Sequence, residues 1–358
     1  MGINRRKFVS AMGKTLALLP LAGGGSEARE SGSSVVIDCQ SHLFVPEIVS
    51  LMEKRKQDPV VYKKGGESFV QMGPWSRRIM PTHMDVDAKI AAMDANGITM
   101  TALSINDPGP EWFGDSGPAV ARIANDFIAA AMKRYPKRLL GLCVLPLQNM
   151  DAALVELDRC TRTLGMKGIL LYTNLAGKYP DEPEFRPLFA RAVELDIPIF
   201  LHPAKPVTSE IVKDYEMISS LGNMFDDTIA LNRIIMSGIL DQYPRLKLVC
   251  PHLGGTLPYM IGRIDHQTQV LKRGPKYLTK PPSQYLKQVY LDIVSPLPLA
   301  IRFAYDFMGP DKLVFGSDHP WVEPKLILDS FHSLRLPAQD ENKILGTNAR
   351  ALFRLQDD

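Results

Sequence analysis

Residues 197–203 read Ile197-Pro198-Ile199-Phe200-Leu201-His202-Pro203. Five apolar residues in a row, without polar alternation, are the pattern of a short parallel strand covered on both faces. The histidine falls where that strand must end. Seven further runs of this kind lie at 35–37 (leading into Asp38-Cys39-Gln40), 98–103, 139–144, 168–171, 246–249, 289–291 and 313–315. Helical patterns separate them. Val86, Ile90 and Met93 share one face of a helix that Gly97 stops, 119–135 is amphipathic and ends at Pro136, 152–164 ends at Gly165, and 185–195 is another. Glycine or proline just past a periodic apolar stretch is the usual helix stop. Strand–helix alternation implies a parallel sheet, and a count of eight favours closure into a (β/α)8 TIM barrel over an open sheet. Residues 35–358 are expected to form this single α/β domain. The polar segments 53–82 and 272–287 are expected as insertion loops over the C-terminal face of the barrel.

The chain has 358 residues, 45% of them hydrophobic, and a net charge of +3. That apolar share is ordinary for a globular protein with a full core. Charges of both signs are scattered and no basic block is interleaved with aromatics, so nucleic acid is not an expected partner. Past the N-terminus no run of about 18 apolar residues appears, so no integral membrane segment is expected after signal removal. The four cysteines, Cys39, Cys143, Cys160 and Cys250, form no C-x-x-C pair. They are expected as small buried residues rather than as disulfides. Residues 1–34 stand apart. Asn4-Arg5-Arg6-Lys7-Phe8-Val9 is followed by a mildly apolar stretch at 16–22 and then by Gly23-Gly24-Gly25-Ser26-Glu27-Ala28. A basic start, a short apolar run and small residues have the layout of a signal peptide. The paired arginines ahead of Phe8 resemble a twin-arginine export signal, which implies a periplasmic or other extracytoplasmic location.

The polar residues that could carry chemistry collect at strand ends. Gln40 and His42 follow the first run, His202 the fifth and His252 the sixth. Asp318 follows the eighth, in Phe315-Gly316-Ser317-Asp318-His319-Pro320. In a (β/α)8 barrel the C-terminal strand ends converge on one face, where active sites lie. Gln40 and His42 are two apart, so on a strand they point the same way. Two imidazoles, an amide oxygen and a carboxylate make a mixed N/O site for one divalent ion, zinc first and manganese as the alternative. Such an ion lowers the pKa of bound water to about 7 and polarises a substrate oxygen. Taken singly, each residue has a plainer role: a strand-end histidine is often just hydrogen-bonded, and Asp318 could form a turn. The joint placement is what points to a metal. His319, beside Asp318, is expected to line the pocket. His83 belongs to the loop at Pro81-Thr82-His83, while His266 and His332 are expected at the surface or in structural positions.

Ile37-Asp38-x-Gln40-x-His42 near the start, His202-Pro203, Pro251-His252-Leu253-Gly254-Gly255 and Gly316-Ser317-Asp318-x-Pro320 come in the order found in the second amidohydrolase family. Over residues 35–355 the chain resembles that family, and within it the 2-amino-3-carboxymuconate-6-semialdehyde decarboxylases and related resorcylate-type decarboxylases. The resemblance implies that His42, His202 and Asp318 are metal ligands and that His252 activates a metal-bound water or moves a proton. It also implies that Arg263 reaches a neighbouring subunit's substrate carboxylate, and hence a homodimer. Two departures stand out. Gln40 occupies a ligand position that is usually histidine, and glutamine is neutral and a weaker ligand. The family's carboxylate-binding arginine falls near Met80, with Arg77 and Arg78 just upstream, and Arg78 is the expected stand-in. Trp112 and Trp321 are expected to wall the pocket against a planar substrate. The implied function is metal-dependent, non-oxidative decarboxylation of a small unsaturated or aromatic carboxylate, with Asp318 relaying a proton. The same site could instead run hydrolysis of a lactone, amide or C–C bond, or a hydration, because fold and metal site are shared across reactions. Gln40 leaves a third reading, a metal-poor binding protein.

Overall fold

The computed structural model describes residues 35–356; the expected export signal lies outside them. In chain order the strands are β1 (Ile37–Leu43), β2 (Val60–Lys64), β3 (Glu67–Met72), β4 (Trp75–Ile79), β5 (Met100–Ile105), β6 (Leu139–Cys143), β7 (Gly168–Tyr172), β8 (Ile199–His202), β9 (Leu248–Cys250), β10 (Tyr290–Asp292) and β11 (Leu313–Val314). Each of the eight apolar runs in the sequence is one strand of a parallel sheet with the order β1-β5-β6-β7-β8-β9-β10-β11. The sheet turns back on itself: Cys39 N donates to Phe315 O at 2.8 Å, Asp318 N to Gln40 O at 2.8 Å and His42 N to His319 O at 2.8 Å. The result is the expected single-domain (β/α)8 barrel. Every residue of β6, β7 and β8 is buried, which is why these strands carry no polar alternation.

The helices Val86–Ala95, Gly117–Arg134, Met150–Arg162 and Arg186–Leu195 fall within about two residues of the stretches marked by apolar periodicity. All four cysteines are free and buried. Among the described residues no helix is long and apolar enough to cross a membrane.

Two expectations about the insertions are corrected. The segment 53–82 is not a plain loop; its greater part is a three-stranded antiparallel sheet in the order β2-β3-β4. Its glycines are turn residues: Gly65, Gly66 and Gly73 have φ of +61°, +85° and +60°, conformations that side chains with a Cβ rarely adopt. The segment 272–287 packs at the opposite end of the barrel from the mouth. Tyr277 Oη donates to Met236 O and Tyr285 Oη to Asp241, and these acceptors belong to the helical region that leads into the start of β9.

One side chain ties helix to strand at the end of β6. Buried Asn125, on the helix Gly117–Arg134, donates Nδ2 to Val144 O (2.8 Å) and to Glu156 Oε1 (2.7 Å), and accepts from Val144 N (2.8 Å). It thus completes both backbone groups of a residue just past the ladder. Asn125→Ala leaves both groups buried and unpaired, at about 1–3 kcal/mol each. A loss of about 3 kcal/mol in urea unfolding is expected; a loss below about 0.5 kcal/mol would show that the clasp is dispensable.

Candidate active site

The closing seam of the barrel builds one side of the site. Asp38 is buried in β1, and its carboxylate accepts from Gln40 N (3.1 Å), Ser317 N (2.9 Å) and Ser317 Oγ (2.6 Å). Burial pushes this carboxyl up to about 6, against the opposing pull of Ser317 and Lys89. The chain then turns sharply, with φ of +60° at Asp318, and brings that carboxylate over the strand ends. On the other side His252 and Leu253 also take left-handed backbone, with φ of +51° and +58°. Such conformations cost residues with a Cβ about 1–2 kcal/mol each. A hydrogen bond of 2.8 Å from His252 N to Asp292 Oδ1, at the end of β10, holds the turn.

These elements bring together His42, His202 and Asp318, each offering one ligand atom within 4.8 Å of the others. The two rings meet edge to face with centroids 4.2 Å apart, and His42 Nε2 lies 3.5 Å from Asp318 Oδ1. The second nitrogen of each ring is engaged on the far side. His202 Nδ1 lies 2.8 Å from Pro203 O, so it must donate, and His42 Nδ1 lies 2.6 Å from Ser104 Oγ. Burial pushes both imidazoles down, so both are neutral. Each Nε2 is left buried without a hydrogen-bond partner. Two neutral nitrogen lone pairs and a carboxylate, oriented by bonds on their far sides, suit a divalent cation. Gln40 sits at the same point. Its Nε2 is 3.3 Å from His252 Nε2 and 3.4 Å from Asp318 Oδ1, and its Oε1 is buried and unpartnered. That free oxygen is what Gln40 has to offer a cation.

His252 is in the opposite state. Its Nδ1 is 2.9 Å from Asp227 Oδ2 and its Nε2 is 3.7 Å from Asp318 Oδ2. Burial pushes its pKa down, but Asp227 and Asp318 outweigh that and hold it well above the ordinary imidazole range. Asp318 is likewise raised by burial and lowered more by His252 and His42, so it stays ionised far below the usual carboxylate range. Burial takes Asp227 up to about 6. Asp227 escaped the sequence reading because it lies inside the helix Asn223–Met236 and not at a strand end. The adjacent acids Asp226 and Asp227, both buried in that helix, were the available signal.

A cavity of about 650 Å³ opens above this cluster, with His202, His252 and Asp318 in its lining beside Trp75, Arg77, Asp107, Asn223 and Trp321. The Arg77 guanidinium lies between two indoles, 4.1 Å from the Trp75 centroid and 4.7 Å from that of Trp321. It donates to the Asp107 carboxylate and to Asp107 O. Arg78 is not at the cavity; it pairs outward with Glu67 at 2.6 Å, half exposed. The two arginines are neighbours on β4, so they face opposite sides. Trp321 does stand in the cavity wall, but the expectation for Trp112 is corrected. It packs behind, against the small core of Met72, Trp75, Val212 and Ile218, and Trp75 takes the wall position. His319 also lies outside the lining, because its Nδ1 is 2.5 Å from buried Lys89 Nζ. His83 is buried between Phe44 and Trp321. Arg263 is exposed on the helix Leu257–Asp265, outside this cavity.

Comparison with known proteins agrees with this geometry. The amidohydrolase family pattern matches residues 37–355. A gamma-resorcylate decarboxylase of Rhizobium sp. (strain MTP-10005) is 31% identical over 299 residues, covering 79% of this chain and 91% of that protein. A 2-amino-3-carboxymuconate-6-semialdehyde decarboxylase of Dictyostelium discoideum is 28% identical over 288 residues, covering 77% of this chain and 79% of that protein. Among solved structures, a dihydroxybenzoic acid decarboxylase of Polaromonas sp. JS666, with bound manganese and 2-nitroresorcinol, superposes with a TM-score of 0.77 at 26% identity. That match covers 91% of this chain and 98% of the other. The chain belongs to the amidohydrolase family and is a metal-dependent carboxy-lyase.

Proposed function

We propose that the substrate is a small aromatic or muconate-type acid carrying a hydroxyl or similar oxygen beside its carboxylate. We propose further that decarboxylation proceeds by protonation of the carbon bearing that carboxylate. The observation that carries this reading is geometric: His252, held through Nδ1 by Asp227, turns Nε2 toward Asp318 at the cavity, while His42 and His202 leave their Nε2 atoms buried and unpartnered beside the same carboxylate. A divalent cation held by His42, His202 and Asp318, with the Gln40 oxygen as a further donor, would anchor the substrate's oxygens and draw electron density from it. Zinc is the first expectation from the ligand types; the manganese in the Polaromonas relative favours manganese. His252 supplies the proton from Nε2, and Asp318, 3.7 Å away, is placed to relay it. The proton bonds to carbon, the electrons of the C–C bond return to the ring or diene, and carbon dioxide leaves. Carboxylate plus proton thus gives the decarboxylated product and carbon dioxide. Asp227 keeps His252 charged and turned toward the cavity. Trp75 and Trp321 offer flat walls to a planar substrate, and Arg77 between them offers a cationic edge to a second anionic group.

The resemblance to the decarboxylases also supports a homodimer in which Arg263 serves the partner's cavity. Near it, on the same helix, Tyr259 is 83% exposed and lines an apolar hollow with Pro258, Ala300 and Phe303, as an interface needs. Residues 1–34 support export by the twin-arginine route.

Purified protein is expected to contain about one divalent ion per chain and to release carbon dioxide from a panel of hydroxybenzoic and muconate-type acids. Chelation should abolish turnover, and manganese or zinc should restore it. A product heavier by one water would instead mark a hydratase or hydrolase. His252→Ala should lower kcat about 10²–10⁴-fold with the metal retained; full activity in this variant would remove His252 from the mechanism. Arg77→Met should raise KM with little change in kcat if Arg77 holds a distal group.

In the metal-free protein, NMR titration should place His252 above the ordinary imidazole range and His42 and His202 below it. Asp227→Asn removes a negative charge that stabilises the imidazolium, so the His252 transition must move down in pH. An unchanged transition would contradict the assigned pair. Sedimentation should give twice the chain mass, and Arg263→Ala should lower turnover without dissociating the dimer.

A further inference from the structure

Lys89 takes no part in the chemistry described above, yet it is among the most buried charged residues of the fold, at 1% exposure. It lies on the helix Val86–Ala95, outside the sheet, and reaches inward to the closing seam. An ammonium group has three N–H donors, and Nζ has three acceptors. They are Ser41 Oγ at 2.7 Å, His319 O at 2.9 Å and His319 Nδ1 at 2.5 Å. Lys89 Nζ has only donors, so His319 Nδ1 must accept and the neutral ring carries its proton on Nε2. Ser41 Oγ in turn donates to His319 O at 3.2 Å.

The two ends of this clamp are the neighbours of the ligand candidates. Ser41 stands between Gln40 and His42 on β1, and His319 follows Asp318 directly. Asp318 has little regular structure to hold it. β11 ends at Val314, and Asp318 sits four residues further on, in left-handed backbone. Groups behind a ligand fix its direction and its distance from the others. Packing alone does not account for the clamp, since burial pushes the Lys89 ammonium down to about 7 against the attraction of Asp38 and Asp318, and an apolar side chain would fill the space at no such cost.

We infer that Lys89 is a positioning residue: by bridging Ser41 to His319 it sets Asp318 at the separation from His42 that a single cation requires. This rests on the metal-centre reading above.

The test is titration of the metal-free protein with cobalt(II), read by its visible absorption, for the full chain and for Lys89→Met. Circular dichroism establishes that the variant is folded. The expected result is a cobalt affinity lower by about 10–100-fold, the usual effect of removing a group behind a ligand, with an altered absorption envelope. A purely structural lysine would lower Tm and leave both cobalt readouts unchanged, so a folded Lys89→Met with wild-type affinity and spectrum overturns the inference. If Lys89→Met does not fold, Ser41→Ala decides in the same titration. Weaker binding with a changed spectrum supports the clamp, and unchanged binding overturns it. Failure of the unmodified protein to take up cobalt, zinc or manganese would overturn the metal-centre reading itself, and this inference with it.

Discussion

The barrel closes through three backbone hydrogen bonds between β1 and the chain just past β11, from Cys39, Asp318 and His42. Everything at the mouth depends on that seam. It joins the first strand of the sheet to the last, and so brings residues nearly the whole chain apart to within bonding distance. It also sets the register in which Gln40 and His42 face Asp318. The buried Asp38 carboxylate reinforces it by binding Ser317 through both backbone and hydroxyl. The seam therefore both closes the barrel and forms the floor of the site.

The site's electrical character follows from which groups each histidine faces. His42 and His202 are buried with neutral partners on one nitrogen, and desolvation keeps them uncharged. His319 is kept uncharged first by burial and then by the Lys89 ammonium beside it. His252 is buried as well, but two carboxylates face it, and their attraction exceeds the desolvation penalty. One residue type thus provides metal-type ligands and a proton donor within one cluster. The left-handed backbone at His252 and Asp318 is the local cost of aiming them; hydrogen bonds to Asp292 and across the seam hold it.

Above the cluster, the inserted sheet β2-β3-β4 supplies what the barrel strands do not. Trp75 and Arg77 come from β4, while Trp321 follows the last strand, so the cavity wall is made by two distant parts of the chain. Arg77 is neutralised in part by Asp107 and stacked by both indoles.

The eight parallel strands, the helices between them and the placing of His42, His202, His252 and Asp318 at strand ends were all legible in the sequence. Continuous apolar runs and strand-end polar residues are local patterns, readable without the fold. The sequence did not separate Arg77 from Arg78, because that depends on the phase of a strand in a segment taken for a loop. It placed Trp112 in the wall where Trp75 stands, and His319 in the pocket, because which neighbour covers a side chain is decided by packing. Asp227 and Lys89 lie within helices, where only the facing elements show that a charge is buried and bonded. Lys89 does fall on the stripe of Val86, Ile90 and Met93, so its burial was legible and its partners were not. The tertiary structure alone decided the states of the histidines, since a pKa is set by which charges lie nearby in space.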